Sequence, residues 1–127
     1  MLNDLHTAAL EKALEGVAAR QEAIQNNIAN IETPNYQPQR VSFEQALRAA
    51  IKEERSDRDG AGSGQAIADV KPRVLRQPVA PGAPLKLDME TELTELAKTS
   101  LQHEALVRTL TKQFRMLRTA ITGGSQA

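Results

Sequence analysis

The stretch that decides the fold is NNIANIETPNYQ, residues 26 to 37. A helical pattern of apolar residues runs into Thr33 and Pro34 at this point. Because proline lacks an amide hydrogen and disfavours helical backbone at the preceding residue, the helix must end at or before Thr33. Asn35 tolerates the left-handed turn that often follows a proline. The stretch therefore predicts a fixed corner, with Tyr36 placed so that its ring covers the end of the helix and its hydroxyl finds a polar partner.

The composition favours a single, mostly helical domain. The chain has 127 residues, of which 40% are hydrophobic but only 2% are aromatic, so its core is aliphatic and suits helix-on-helix packing. Sixteen basic and sixteen acidic residues cancel, which argues against a protein that neutralises nucleic-acid phosphates. There is no cysteine, which excludes disulfides and thiolate sites.

The first residues, MLNDLHTAALEKALEG, have acidic side chains where a secretion signal has a positive flank and an apolar run. Nowhere does an apolar stretch approach the ~18 residues that a membrane-spanning helix needs. We therefore expect neither a cleaved signal peptide nor a membrane anchor.

Apolar residues recur at alternating steps of three and four near both ends of the chain, as in a heptad seam. Helices from about Asn3 to Ile31 and from about Met89 to Ile121 would each be roughly 40 to 50 Å long. The pattern predicts an antiparallel, coiled-coil-like pair, and Leu101 and Leu106 would widen the second apolar surface toward further partners. The predicted assembly seam comprises Leu10, Leu14, Val17, Ile24, Ile28, Ile31, Leu93, Leu96, Val107, Leu110, Phe114, Leu117 and Ile121.

A short helix should follow the corner. Ser42 is suited to be its N-cap and Gln45 to complete a capping box. Four apolar residues would share its inner face: Phe43, Leu47, Ala50 and Ile51.

The middle of the chain has the composition of a flexible linker, with a possible short hairpin or edge strand around Val70 and Val74. Asp88 should cap the C-terminal helix, and Gly123 should end it. The predicted organisation is residues 1–54 for the first helix, corner and short helix, 55–86 for the linker, and 87–127 for the last helix. The two ends together form one structural domain.

Asn26, Asn27 and Asn30 lie unusually close together for a helix. One interpretation is a solvated face at a fraying helix end. The other is a packed amide contact with another chain. The spacing alone leaves both open.

The stretch RQEAIQNNIANIETPNYQPQRVSFEQAL, residues 20–47, resembles the N-terminal signature of bacterial flagellar rod and hook proteins. Residues 93–124, LTELAKTSLQHEALVRTLTKQFRMLRTAITGG, resemble the last helix of one small protein of the proximal rod. Two positions depart from the resemblance, because glycine is commoner than Asn35 and tyrosine is frequent at the position of His103. The residues that carry the motif are Asn27, Ala29, Asn30, Thr33, Pro34 and Tyr36.

The resemblance implies a structural subunit of the proximal rod that polymerises through its terminal helices into the tubular drive shaft. It implies export through the flagellar type III apparatus without signal cleavage, and a location in the periplasmic rod of the basal body. The implied partners are copies of the chain, other rod proteins, the rod-base adaptor, the inner-membrane ring and the export gate. The alternative is a soluble helical adaptor or export chaperone that binds one partner and does not polymerise.

Catalytic and cofactor signals are missing from the sequence. There is no glycine-rich phosphate loop and no nucleophile elbow, and the stretch HEAL at His103 lacks the second histidine of a zinc-binding helix. His6 is an isolated polar residue. We therefore expect no enzyme activity, no cofactor and no metal.

Overall fold

A computed structural model describes residues 2–57, 63–78 and 87–124. Helices dominate these ranges, as predicted. The elements in chain order are α1 (Leu2–Ala29), β1 (Gln39–Ser42), α2 (Glu44–Ser56), α3 (Gln65–Ala68), β2 (Arg73–Arg76) and α4 (Met89–Gly124). No helix in the described ranges is long and apolar enough to cross a membrane.

Helices α1 and α4 pack against each other in antiparallel directions, which confirms the predicted pair. Near the end of α1, Asn27 Nδ2 lies 3.1 Å from a carboxylate oxygen of Glu92 at the start of α4. Further along, Gln21 Nε2 lies 3.3 Å from Ser100 Oγ. At the opposite end, an open groove is lined by Asp4 from α1 and by residues of the last turns of α4.

The core lies where α1 meets the short elements of the middle of the chain. Its buried apolar side chains come from α1, from β1, from Phe43 and α2, and from α3 and Val70. The α1 half of the predicted seam faces inward, since Val17 and Ile24 are buried. Leu10, Leu14, Ile28 and Ile31 are half-buried. The buried core residues are Val17, Ala23, Val41, Phe43, Leu47, Ala50, Ile67 and Val70.

Gly16 provides the space in which the Phe43 ring rests against α1. A Cβ atom built at Gly16 would lie 2.5 Å from two ring atoms of Phe43 and 2.6 Å from a third. The helix therefore needs glycine here because of close packing, although glycine is a poor helix former.

Replacing Gly16 with alanine should destabilise the chain despite alanine's helix propensity. The propensity gain is about 1 kcal/mol, whereas forcing extra volume into a packed site costs about 1–3 kcal/mol. Urea denaturation of the purified chain measures the net loss. The same substitution in a Phe43→Leu background, where the ring is gone, should be neutral or stabilising. If Gly16→Ala stabilises both backgrounds equally, the close approach of the Phe43 ring does not determine the effect of the substitution.

The capping box predicted at Ser42 is wrong. Ser42 is the last residue of β1 and pairs with Arg73 of β2, so its backbone serves the strand pair. The residue at the N-cap position of α2 is Phe43, which makes no side-chain capping bond. Its amide donates instead to a carboxylate oxygen of Glu44 at 3.3 Å. The apolar face was predicted correctly, since Leu47 and Ala50 are buried and Ile51 is half-buried.

The two strands form a small antiparallel ribbon in which Val41 pairs with Val74. The strand around Val74 is as predicted, whereas Val70 is a buried residue after α3 and lies in no strand. Residues 58–62 and 79–86 of the predicted linker lie outside the described ranges, and its flexibility stays a prediction.

Glu54 fixes α3 to α2. Its carboxylate accepts hydrogen bonds from the amides of Gly64 and Ala66, at 3.2 and 2.8 Å. The side chain is buried, and each of its oxygens has one of these donors. Sequence reasoning missed this contact, because Glu54 lies in a run of mixed charges that is typical of solvated helix surface.

The start of α4 was predicted correctly and its end was not. Asp88 caps the helix as expected, with Oδ1 accepting from the Glu90 amide at 3.2 Å. The predicted stop at Gly123 is wrong, because α4 includes Gly123 and Gly124. A Cβ at Gly123 would meet nothing within 4 Å, so no packed neighbour forces the chain to reverse there.

Candidate assembly site

The corner after α1 is organised by the side chain of Asn27, which is fully buried. Asn27 Nδ2 donates to the Gln39 carbonyl at 2.9 Å and to Glu92 Oε2 at 3.1 Å. Asn27 Oδ1 accepts from the Gln39 amide at 2.8 Å and from the Tyr36 hydroxyl at 3.4 Å. An asparagine amide has two donors and two acceptor positions, so its capacity is filled. We call Asn27, Tyr36, Gln39, Arg40 and Glu92 the Asn27 node.

The node contains a bidentate ion pair. Arg40 Nη2 lies 2.6 Å from Glu92 Oε1, and Arg40 Nη1 lies 3.1 Å from Glu92 Oε2. The Glu92 side chain is 1% exposed and that of Arg40 is 36% exposed. The hydrogen bonds to Glu92 raise the pKa of Arg40, against the opposing effect of burial. The pair therefore joins the start of α4 to β1, while Asn27 joins both to α1.

For Asn27, this geometry overturns both interpretations of the asparagine cluster, whereas Asn26 is exposed as the solvated interpretation predicts. Asn27 is neither solvated nor directed at another chain, because its partners belong to its own chain. Asn30 Nδ2 donates back to the Asn26 carbonyl at 2.8 Å, and the side chain of Asn26 lies 3.4 Å from that of Gln39. The cluster closes the corner within one subunit.

The corner itself has the predicted backbone. Asn35 has a φ of 61°, and no other non-glycine residue in the described ranges has a positive φ. Helix α1 ends at Ala29, and hydrogen-bonded turns carry the chain through Thr33, whose amide donates to the Asn30 carbonyl at 2.9 Å. The Tyr36 hydroxyl was predicted to find a polar partner, and that partner is Asn27, whose Oδ1 accepts at 3.4 Å.

Substitutions at Asn35 should follow backbone preference. Asn35→Gly should be neutral, because glycine enters the left-handed region without steric cost. Asn35→Val should destabilise the purified chain by about 1–2 kcal/mol, because a β-branched residue is strained there. Thermal denaturation compares the two variants. Equal stability of the two variants would mean that the positive φ of Asn35 does not decide which residues are tolerated at this position.

Arg20 attaches α1 to the start of α2. Its guanidinium donates to the Val41 carbonyl at 2.8 Å, pairs with the Glu44 carboxylate at 2.5 Å and lies 5.0 Å from the centre of the Phe43 ring. Burial alone would raise the pKa of Glu44. Hydrogen bonds from backbone amides and from Arg20 outweigh it and hold that pKa below its usual range.

Helix α4 turns only part of its apolar surface toward α1. Of the predicted seam on α4, Leu110 is buried and Leu96 is half-buried. His103 is also half-buried, and Leu106 packs against the core. The other seam positions are not buried against α1. Glu92, the residue before Leu93, is buried instead, and so is Thr99 seven residues later. The seam members left exposed on α4 are Leu93, Val107, Phe114, Leu117 and Ile121, and Met89 is exposed with them. We call these six the α4 stripe.

The two histidines are the remaining candidate residues from the sequence. His6 is exposed and His103 is half-buried. In the ranges that the structure describes, no group of histidine and acidic side chains is arranged to hold a metal ion.

Comparison with known proteins gives consistent matches along nearly the whole chain. The flagellar basal body rod protein FlgB of Bacillus subtilis (strain 168) is 36% identical over 126 residues, covering 91% of this chain and 92% of that protein. The chain belongs to the FlgB family. FlgB of Salmonella typhimurium is 29% identical over 128 residues, with 91% of each chain covered. FlgB of Borrelia hermsii is 44% identical over 43 residues, which are 34% of this chain and 32% of that protein. No family model matches the chain.

Sequence reasoning found part of the site of this FlgB-family chain. Among the motif residues, the Tyr36 hydroxyl donates to Asn27 and the Thr33 hydroxyl donates to Asn30 Oδ1, while Pro34 is exposed. It missed Gly16, Arg40 and Glu92. A signal for Glu92 was present, because it lies on the same helical face as Leu96 and Thr99, where a charge needs a buried partner.

Proposed function

We propose that this chain polymerises through its terminal helices into the flagellar rod, with the α4 stripe as a contact to neighbouring subunits. As a member of the FlgB family it is a structural rod protein and not an enzyme. The buried members of the predicted seam pack within the subunit, Leu110 on α4 and Val17 in the core that α1 forms with the middle of the chain. Its fold thus supplies a helix pair and leaves the α4 stripe exposed for assembly.

The observation that carries the proposal is the exposure of the α4 stripe. Phe114 is 51% exposed and Ile121 is 68% exposed, although both belong to a regular heptad pattern. Isolated exposed leucines are ordinary on protein surfaces, but a row of six large apolar side chains along one helix is typical of a contact surface. A neighbouring helix would bury this row.

The finer elements of the proposal concern location and partners. We place the chain in the proximal, periplasmic part of the rod, beside other rod proteins, the rod-base adaptor, the inner-membrane ring and the export gate. We also propose that it is exported unfolded without loss of a signal peptide.

Phe114→Asp tests the α4 stripe. Because Phe114 is half exposed in the single chain, the variant should change the free energy of unfolding by no more than about 0.5 kcal/mol. It should nevertheless abolish rods and swimming when it replaces the wild-type chain in cells, because a charge would be buried between subunits.

Leu75→Asp is the matched control. Leu75 is a large apolar residue of similar exposure, 47%, but it lies on β2. This variant should swim. Secretion of both variants is measured in parallel, to separate export from assembly. Normal rods from Phe114→Asp would contradict the role of the α4 stripe as a contact between subunits.

A further inference from the structure

One face of α1 and the second half of α4 carry exposed charges of opposite sign, although Lys12 pairs with Glu15 on α1 at 2.9 Å. On α1, Asp4, Glu11, Glu15 and Glu22 are all exposed and follow each other at steps of seven, four and seven. These steps place them on one face of the helix. We call these four residues the acidic face of α1.

The second half of α4 has the opposite sign. Residues 105–124 contain four basic and no acidic residues, and all four are exposed. Arg108 forms an exposed pair with Glu104 of its own helix at 2.6 Å. Within the described ranges, the other three form no ion pair. We call Arg108, Lys112, Arg115 and Arg118 the basic face of α4.

The two faces do not meet within one subunit. The groove between the start of α1 and the end of α4 is lined on one side by Asp4 and Glu11. The α4 residues in this groove are Gln113, Phe114, Met116, Leu117 and Ala120, and none is basic. Within the described ranges, no ion pair joins the acidic face to the basic face.

The antiparallel register brings the charged segments to matching heights. Within the chain, Asn27 is level with Glu92 and Gln21 with Ser100. The same register continues to the other end of the pair, where Asp4 and Glu11 share the groove with Gln113 and Leu117. A second α4 laid against α1 at this register would place its basic half beside Asp4 and Glu11 of the acidic face.

We propose that the acidic face of α1 binds the basic face of α4 from a second copy of the chain, in the same antiparallel direction. This inference rests on the proposed polymerisation and names its charged contact. Each copy has one face of each sign, so the contact is heterologous and repeats from copy to copy instead of closing a symmetric dimer. Complementary charges would set the direction and register of the next subunit, while apolar burial supplies affinity.

A symmetric dimer of two α4 helices is the competing arrangement. The first half of α4 is acidic, with exposed Glu90 and Glu104, so two antiparallel α4 helices would also match in charge. That dimer would not use α1. Reversing charges on α1 therefore separates the two arrangements.

The experiment uses two double variants of the full chain, expressed in cells that lack the wild-type gene. One reverses the acidic face (Asp4→Lys with Glu11→Lys) and the other reverses the basic face (Lys112→Glu with Arg115→Glu). Arg48→Glu with Lys52→Glu is the matched control, because these exposed residues lie four apart on α2. Rods are counted in isolated basal bodies, and swimming is scored in soft agar.

Each reversal alone should reduce the number of rods by about tenfold or more, because like charges would then meet, whereas the α2 control should be unaffected. The fourfold variant that carries both reversals should restore assembly, and so should co-expression of the two double variants. Normal assembly by the α1 reversal, or failure of the fourfold variant and of the co-expressed pair to recover, would overturn the inference. Neither result would affect the proposed polymerisation, which Phe114→Asp tests separately.

Discussion

Leu110→Asp should unfold the helix pair. Leu110 is 7% exposed and is the only buried apolar side chain that α4 contributes in the described ranges. Removing a buried leucine side chain costs about 2–5 kcal/mol, and an unpaired carboxylate at the same site adds to that cost. We expect the free energy of unfolding to fall by about 4 kcal/mol or more. Urea denaturation followed by far-ultraviolet circular dichroism measures the change, and rods and swimming should be lost with it.

Leu101→Asp is the control for this result. Leu101 lies on the same helix but is 68% exposed, so the same chemical change should cost no more than about 0.5 kcal/mol. If Leu110→Asp is as stable as Leu101→Asp, the packing of α4 on α1 is not the principal support of the fold.

Arg40→Met should be the second most damaging substitution. It leaves the Glu92 carboxylate buried, with only the Asn27 amide as a donor among its described partners. Breaking a fully buried pair from one side costs about 3–5 kcal/mol. Because Arg40 is about one-third exposed, we expect a smaller loss of about 2 kcal/mol, discounted for solvent screening. Chemical denaturation of the purified chain measures it.

Removing the other charge as well should restore most of the stability. In the double variant Arg40→Met with Glu92→Leu no charge is left unpaired, and apolar replacement of a buried pair is often neutral or stabilising. Asn27 would still donate to the Gln39 carbonyl. A double variant less stable than Arg40→Met alone would mean that Glu92 supports the fold through contacts other than its pair with Arg40.

The parts of the fold that follow local rules could be predicted from the sequence. The inward face of α1 follows from heptad spacing, the end of α1 and the left-handed Asn35 follow from Pro34, and the start of α4 follows from Asp88. Each depends on residues within a few positions of each other. These rules were sufficient for the antiparallel helix pair and for the residues of the corner.

The sequence predictions failed at positions whose hydrogen-bond or packing partners lie far away along the chain. Ser42 has the composition of an N-cap, but a strand more than 30 residues away uses its backbone. Glu92 interrupts an apolar pattern, and nothing local indicates that Asn27 and Arg40 will satisfy it. The apolar pattern of α4 likewise could not reveal which alternate positions face α1, because that choice depends on Glu92 and Thr99 as inward residues.

The β1–β2 ribbon bears on how the length of the chain can vary in evolution. Its strands enclose α2 and α3, and Glu54 fixes the start of α3 to α2, so both sides of the connection between Asp57 and Ser63 are anchored. Doubling the length of a flexible connection costs only about 0.6 kcal/mol in loop-closure entropy. Insertions at this point would therefore leave the ribbon, the corner and the two long helices in place. We therefore expect this connection to tolerate changes in length without loss of assembly.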